Sequence, residues 1–160
     1  MLTQNYFGRL QNSSILCVGD ACTNYNILNE PKRNSNHSGS DATPDCDNSV
    51  GGDWKGDNWY RFVEPAGTSI ANSIVPVNHC GTDAPGWLNG THPVTLGETV
   101  TRQVCFHWSN DPCKWNADVQ IKRCDGFFVY QLPDTPTCDL KYCGLSGNYS
   151  FDLLSCKIII

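Results

Sequence analysis

Alternation of apolar and polar residues is the clearest pattern in this chain. Over 99–108 it places Val100, Val104, Phe106 and Trp108 on one face, and polar residues with Cys105 on the other. Three further runs, 59–63, 117–122 and 126–132, are rich in aromatic and β-branched residues. No window carries an apolar stripe of helical period. The pattern predicts a small, disulfide-rich, mainly β fold: a single compact domain with antiparallel strands, long loops and little helix.

Turn-forming residues divide the chain into a domain and two flanking segments. The polar stretch 34–41 predicts an exposed loop. We expect residues 1–21 to be a lead-in segment, 22–144 the cysteine-rich domain, and 145–160 a connector to a missing downstream module. The first residues lack the apolar run of a signal peptide. We therefore expect a fragment of a longer secreted protein, with a wrong first exon as the alternative.

Cysteines are unusually frequent, ten in 160 residues. No Cys-x-x-Cys pair occurs, so zinc ribbons and thioredoxin-like sites are disfavoured. Disulfides, which persist in an oxidising compartment, are the remaining explanation. Five bridges are the simplest count, and parity leaves their connectivity open. The predicted disulfide cysteines are Cys22, Cys46, Cys80, Cys105, Cys113, Cys124, Cys138 and Cys143, with Cys17 and Cys156 outside the domain core.

Four Asn-x-Ser/Thr glycan acceptors point to the same compartment. They are Asn89, Asn12, Asn36 and Asn148. Around Asn89, the residues Trp87 and Pro93 suggest an anchored loop that holds the acceptor outward, with Gly90 in a turn of positive φ. The alternatives are that Asn89 carries no glycan, or that its glycan only aids folding and solubility.

Net charge and hydrophobicity exclude two classes of partner. The formal charge is −5 and no run of basic residues exceeds two, so no nucleic-acid footprint is present. No stretch approaches the ~20 apolar residues of a membrane helix, so membrane attachment is expected only through missing regions.

Residues for catalysis or metal binding form no convincing set. The histidines His37, His79, His92 and His107 include no His-x-x-x-His pair. Zinc binding by His79 beside Cys80, or by His107 near Cys105, competes with the simpler view that both cysteines form disulfides. Asp53, Asp57 and Glu64 could be paired carboxylates, but turn roles suit the aspartates better. We therefore expect no enzymatic activity, no metal and no cofactor.

Five tryptophans permit a lectin interpretation, because indole rings stack on sugars. They are Trp54, Trp59, Trp87, Trp108 and Trp115. In a disulfide-rich domain such rings more often pack against the bridges, and we favour packing.

Several segments between residues 22 and 144 resemble a known family. The most specific is His79-Cys80-Gly81-Thr82, continuing through Ala84-Pro85 to the segment 87–93. The others are Leu28-Asn29-Glu30-Pro31 with Arg33, Cys46-Asp47, Trp59-Tyr60-Arg61-Phe62, Val104-Cys105, Cys113-Lys114-Trp115, Val119-Gln120-Ile121-Lys122 with Cys124, Gly126-Phe127-Phe128-Val129-Tyr130, and Cys138 with Tyr142-Cys143. Together they are similar to the eight-cysteine, or ten-cysteine, extracellular domain of uromodulin, the pancreatic zymogen-granule major membrane glycoprotein and related proteins.

The chain departs from that family pattern at two positions. Ile74 and Pro112 stand where the pattern looks like cysteine. Our hypothesis is that these two cysteines are partners in the full pattern, so that this chain dispenses with one bridge. Cys17 and Cys156 would pair with each other or belong to neighbouring modules.

The resemblance implies an extracellular or cell-surface module of the secretory pathway, found beside EGF-like and zona-pellucida domains. It implies that a glycan on Asn89 is a decoy for bacterial adhesins in host defence. The alternatives are a structural or protein-interaction module of a larger matrix or receptor protein, whose partners are extracellular proteins, and a carbohydrate-binding lectin-like domain.

Overall fold

The computed structural model describes residues 21–39, 46–49 and 54–147. Within them, nine strands and one short 3-10 helix occur in a mainly β arrangement, which confirms the predicted fold class. The strands are β1 Asn26–Leu28, β2 Asn58–Phe62, β3 Ser69–Ile70, β4 Ala84–Asn89, β5 Thr99–Trp108, β6 Asp111–Cys124, β7 Phe127–Leu132, β8 Leu140–Tyr142 and β9 Gly144–Leu145; the 3-10 helix is Pro31–Arg33. No described helix has the length and apolar character needed to span a bilayer.

Seven strands form one sheet in the order β1-β2-β7-β6-β5-β4-β8, and β3 pairs with β9 in a second, two-stranded sheet. The central strands are antiparallel, as expected, but the pairs β1–β2 and β4–β8 at the two edges are parallel. Parallel neighbours cannot be joined by a tight hairpin. Accordingly, β1 and β2 are separated by residues 29–57, and β4 and β8 are separated in the chain by strands β5, β6 and β7.

One face of the large sheet carries the hydrophobic core. Leu88 of β4, Val104 of β5, Ile121 of β6 and Tyr130 of β7 are all fully buried in one cluster. Trp108 was expected on this face, yet it is 41% exposed. The register shifts between Phe106 and Trp108, so a bulge before the hairpin turn interrupts the alternation.

Four disulfides cross-link the described residues. They join Cys22 to Cys124, Cys46 to Cys138, Cys80 to Cys143 and Cys105 to Cys113. Three of them close separations of 63 residues or more, where the loss of entropy in the unfolded chain is largest. Cys17 and Cys156 lie outside the described residues.

A buried ion pair fixes the loop after β1 against edge strand β8. Arg33 and Asp47 share two short hydrogen bonds, 2.6 and 2.8 Å, and Arg33 also donates to the Tyr142 carbonyl. The Asp47 carboxylate accepts in turn from the Tyr142 amide at 2.7 Å. Burial alone would lower the pKa of Arg33, but Asp47 and Glu30 outweigh burial and raise it above its ordinary value. Arg33 therefore stays charged in the interior.

Candidate functional site

Asn89 is the last residue of β4 and is exposed. Its backbone pairs with Gln103 of β5, and its side-chain nitrogen donates to Gln103 Oε1 at 3.2 Å. The expectation of a loop at this position is wrong, because the acceptor closes a strand. Residue 88, directly before it, is a buried leucine of the core, so burial holds the strand in register up to the acceptor.

Two residues made strand β4 difficult to predict from the sequence. Pro85 and Gly86 are typical of turns, yet both lie in β4, where they pair with Lys141 and Tyr142 of edge strand β8. A Cβ at Gly86 would come within 2.7 Å of the Phe106 ring. Glycine is required there by close packing rather than by a turn.

Trp87 anchors the strand on the face opposite the core. Its ring packs against a small cluster that contains the disulfide between Cys80 and Cys143. Its indole N–H donates to the Pro112 carbonyl at 2.8 Å. The residue two before the acceptor is thus fixed by both packing and a hydrogen bond.

The segment after Asn89 crosses back over the core face. Gly90 has a positive φ of 154°, as the sequence predicted, and a Cβ there would meet Arg102 Cδ at 3.0 Å. The Arg102 guanidinium donates to the Thr91 carbonyl at 3.0 Å. Arg102 was not singled out in the sequence, because nothing local links it to a residue eleven positions earlier.

His92 is the second anchor of this segment. Its ring lies 4.7 Å from the Phe128 ring, centroid to centroid, and its Nε2 is hydrogen-bonded to the Tyr130 hydroxyl at 2.9 Å. The same hydroxyl accepts from the Ile70 amide at 3.2 Å. Burial lowers the pKa of His92 from 6.5 to about 4, so the ring is neutral at physiological pH and can accept this bond.

The other predicted acceptors differ in setting. Asn36 is exposed in a turn, where its backbone N–H donates to Asn34 Oδ1 at 3.0 Å. Asn12 and Asn148 lie outside the described residues.

The histidines and acidic residues are not brought together. His79 and His107 each contact a backbone carbonyl through Nδ1, at 3.1 and 2.8 Å. Glu64 accepts a hydrogen bond from Ser146 at 3.1 Å, Asp57 is exposed, and Asp53 lies outside the described residues. Among residues 21–39, 46–49 and 54–147, no three His, Cys, Asp or Glu side chains form a metal-binding group.

Most of the tryptophans are packed. Trp54 stacks on Tyr60 with ring centroids 4.3 Å apart, and Trp115 packs against the same core. Trp59 is half-buried. Trp108, at the tip of the β5–β6 hairpin, is the one large exposed ring among the described residues.

The two positions that lack cysteine lie near one corner of the sheet. Val75, next to Ile74, bonds through its carbonyl to His107 of β5, and Pro112 bonds through its carbonyl to Trp87 of β4. β4, β5 and β6 are consecutive in the sheet. The paired loss of these cysteines remains a hypothesis, which this placement favours.

Comparison with known proteins identifies the domain family. The family model of the uromodulin-like cysteine-rich domain matches residues 60–144. This chain belongs to that family, and its four described disulfides use eight cysteines.

The similar proteins are much longer than this chain. It is 45% identical over 125 residues to the dog pancreatic secretory granule membrane major glycoprotein GP2 (78% of this chain, 23% of the relative). The human protein of the same name is 43% identical over 126 residues (78% and 22%). Rat uromodulin is 39% identical over 132 residues (82% and 19%). The chain thus spans about a fifth of the length of the curated relatives that it matches.

Proposed function

We propose that this chain is a non-enzymatic extracellular module that presents an N-linked glycan on Asn89 as a decoy ligand for microbial adhesins. The observation that carries the proposal is the position of the acceptor. Asn89 is exposed at the end of a strand that is anchored by Trp87 on one side and by His92 on the other. A ligand held on a rigid scaffold loses less freedom when a partner captures it.

Family membership and disulfide content support the proposed extracellular location. Uromodulin-like domains are extracellular, and one relative is a glycoprotein of the secretory granule membrane by its name. Four disulfides require an oxidising environment. Asparagine-linked glycans are added in the same secretory route, so the chemistry and the location agree.

Secretion of the chain from a mammalian cell line allows a direct test. Glycopeptide mass spectrometry measures occupancy at Asn89, and immobilised mannose-specific fimbrial adhesin measures capture. Asn89→Gln and Thr91→Ala should both abolish capture, the second without changing the acceptor side chain. Asn36→Gln is the matched control, because Asn36 is also exposed, and it should bind normally. Undiminished capture of the Asn89→Gln variant would refute the decoy role.

A protein-interaction module is the second candidate, and exposed apolar side chains favour it. Val94 is 80% exposed and Leu96 is 54% exposed, just after the acceptor segment. If this surface binds an extracellular protein, Val94→Ser with Leu96→Ser should abolish that binding while enzymatic glycan removal leaves it intact. The opposite result would assign the binding to the sugar.

A further inference from the structure

The face of the sheet opposite the core carries the acceptor. Asn89 pairs with Gln103, and Gln103 pairs with Asp118 of β6. Residues that are directly opposite in an antiparallel pair share a face. Two positions further along β5, Thr101 pairs with Gln120. We call these four residues, Thr101, Gln103, Asp118 and Gln120, the outer face.

The outer face offers hydroxyl, amide and carboxylate groups to solvent. Thr101, Asp118 and Gln120 are exposed, and within the described part of the chain no protein hydrogen bond engages their side chains. Planar amides, which donate and accept side by side, and carboxylates, which accept, suit the hydroxyl and acetamido groups of a sugar. The row through Gln120 continues across β7 to Trp59 of β2, which is half-buried. A polar face alone would only indicate solvation.

The orientation of the Asn89 side chain indicates that the outer face lies within reach of a glycan on this residue. The side-chain nitrogen of Asn89, the atom that bonds the first sugar, lies 3.2 Å from Gln103 Oε1. The acceptor therefore lies down along the outer face instead of projecting away from the domain. Neighbouring strands are ~4.8 Å apart, so Asp118 is about two strands, or ~10 Å, from the acceptor backbone.

We propose that the glycan of Asn89 folds back onto the outer face, with its inner N-acetylglucosamine residues hydrogen-bonded to Thr101, Asp118 and Gln120. The outer face is then a carbohydrate-binding site for the chain's own sugar. It holds the glycan core against the protein and leaves the terminal mannoses exposed. This inference rests on the proposed function only in requiring that Asn89 is glycosylated.

Access to the glycan core is the quantity to measure. The chain is secreted with Asn12, Asn36 and Asn148 changed to Gln, from cells in which mannose trimming is blocked, so that every variant carries one identical oligomannose glycan. Endoglycosidase H, which cuts between the two core N-acetylglucosamines, is then applied to folded and to denatured protein. The variant is Thr101→Ala with Gln120→Ala, and Asp118→Ala is an independent second variant. Lys55→Ala with Asp125→Ala is the control, since both residues are exposed at loops.

The folded wild type should be cut more slowly than the denatured protein. Loss of two hydrogen bonds should speed cleavage of the folded variant at least ~5-fold, since each net bond changes an equilibrium about 2- to 12-fold. The control should match wild type, and all denatured samples should be alike. Equal rates for folded wild type and both variants, with Asn89 occupied, would overturn this inference alone. Capture that survives Asn89→Gln would overturn the decoy role alone, and an unoccupied Asn89 would overturn both.

Discussion

Acidification should destabilise this domain through His92. The ring is packed against Phe128 and hydrogen-bonded to Tyr130, and burial lowers its pKa from 6.5 to about 4. Between these two values the unfolded chain binds a proton that the folded domain excludes. The contribution of neutral His92 to stability is therefore complete above pH 6.5, is lost as the pH falls toward 4, and changes no further below that.

The size of the effect follows from the two pKa values. A gap from 6.5 to about 4 corresponds to about 3 kcal/mol of unfolding free energy when the loss is complete. At pH 5 the loss is about 2 kcal/mol, because the unfolded state is by then almost fully protonated at this residue. This is a substantial part of the 5–15 kcal/mol that is typical of folded domains.

The measurement is urea unfolding of the oxidised protein, followed by tryptophan fluorescence, at pH values from 7.5 to 4. Carboxylates also titrate in this range, so the informative quantity is the difference between wild type and His92→Gln. Glutamine can accept from the Tyr130 hydroxyl without titrating. The difference between the two unfolding free energies should change by about 2 kcal/mol between pH 7 and pH 5. Parallel curves would show that the ring accommodates its proton in the folded state, and the reasoning would fail.

Three further predictions concern the scaffold. Arg33→Met should lower the unfolding free energy by about 3–5 kcal/mol in chemical denaturation, because Asp47 is left buried without its partner; a change below 1 kcal/mol would contradict this. Ile74→Cys with Pro112→Cys should form one additional disulfide and stabilise the domain by about 2–4 kcal/mol. The bond would be seen as a mass two units below that of the form with both new thiols reduced, and as the absence of two titratable thiols. If both new thiols stayed free, the hypothesis that these two positions are disulfide partners in the family would be refuted. Gly90→Ala should lower the melting temperature, because of its φ of 154° and the contact with Arg102; an unchanged melting temperature would show that Arg102 moves aside at no cost.

The sequence predicted the strands that carry apolar–polar alternation or a concentration of aromatic and β-branched residues. The run 99–108 coincides with β5, 117–122 lies within β6, and the other two runs match β2 and β7 to within a residue at each end. These strands occupy the middle of the sheet, where one face is buried and the other is solvated. Apolar and polar residues therefore alternate along them, and the alternation can be recognised in the sequence. β1, β3, β8 and β9 contain two or three residues each, too few to show any period.

The buried ion pair between Arg33 and Asp47 illustrates a second limit of prediction from local sequence patterns. Arg33 and Asp47 are among the residues of the family resemblance, but the local pattern around them is polar and indicates an exposed loop. They are buried because Cys46 is bonded to Cys138 and because β8 supplies backbone partners for both charges. Such burial depends on contacts across about a hundred residues, which no local pattern records.

The two described acceptors show most directly what tertiary structure adds. Asn36 and Asn89 have the same motif and are both exposed, so the sequence alone ranks them equally apart from the tryptophan before Asn89. The difference lies in what holds them. Asn36 has a hydrogen bond to a neighbouring asparagine, whereas Asn89 has a sheet strand, Gln103, Trp87 and a half-buried histidine. Only the second arrangement fixes the acceptor through contacts with several separate parts of the chain. The sequence therefore identifies which residues can carry a glycan, whereas contacts between residues far apart in the chain determine how firmly each acceptor side chain is held.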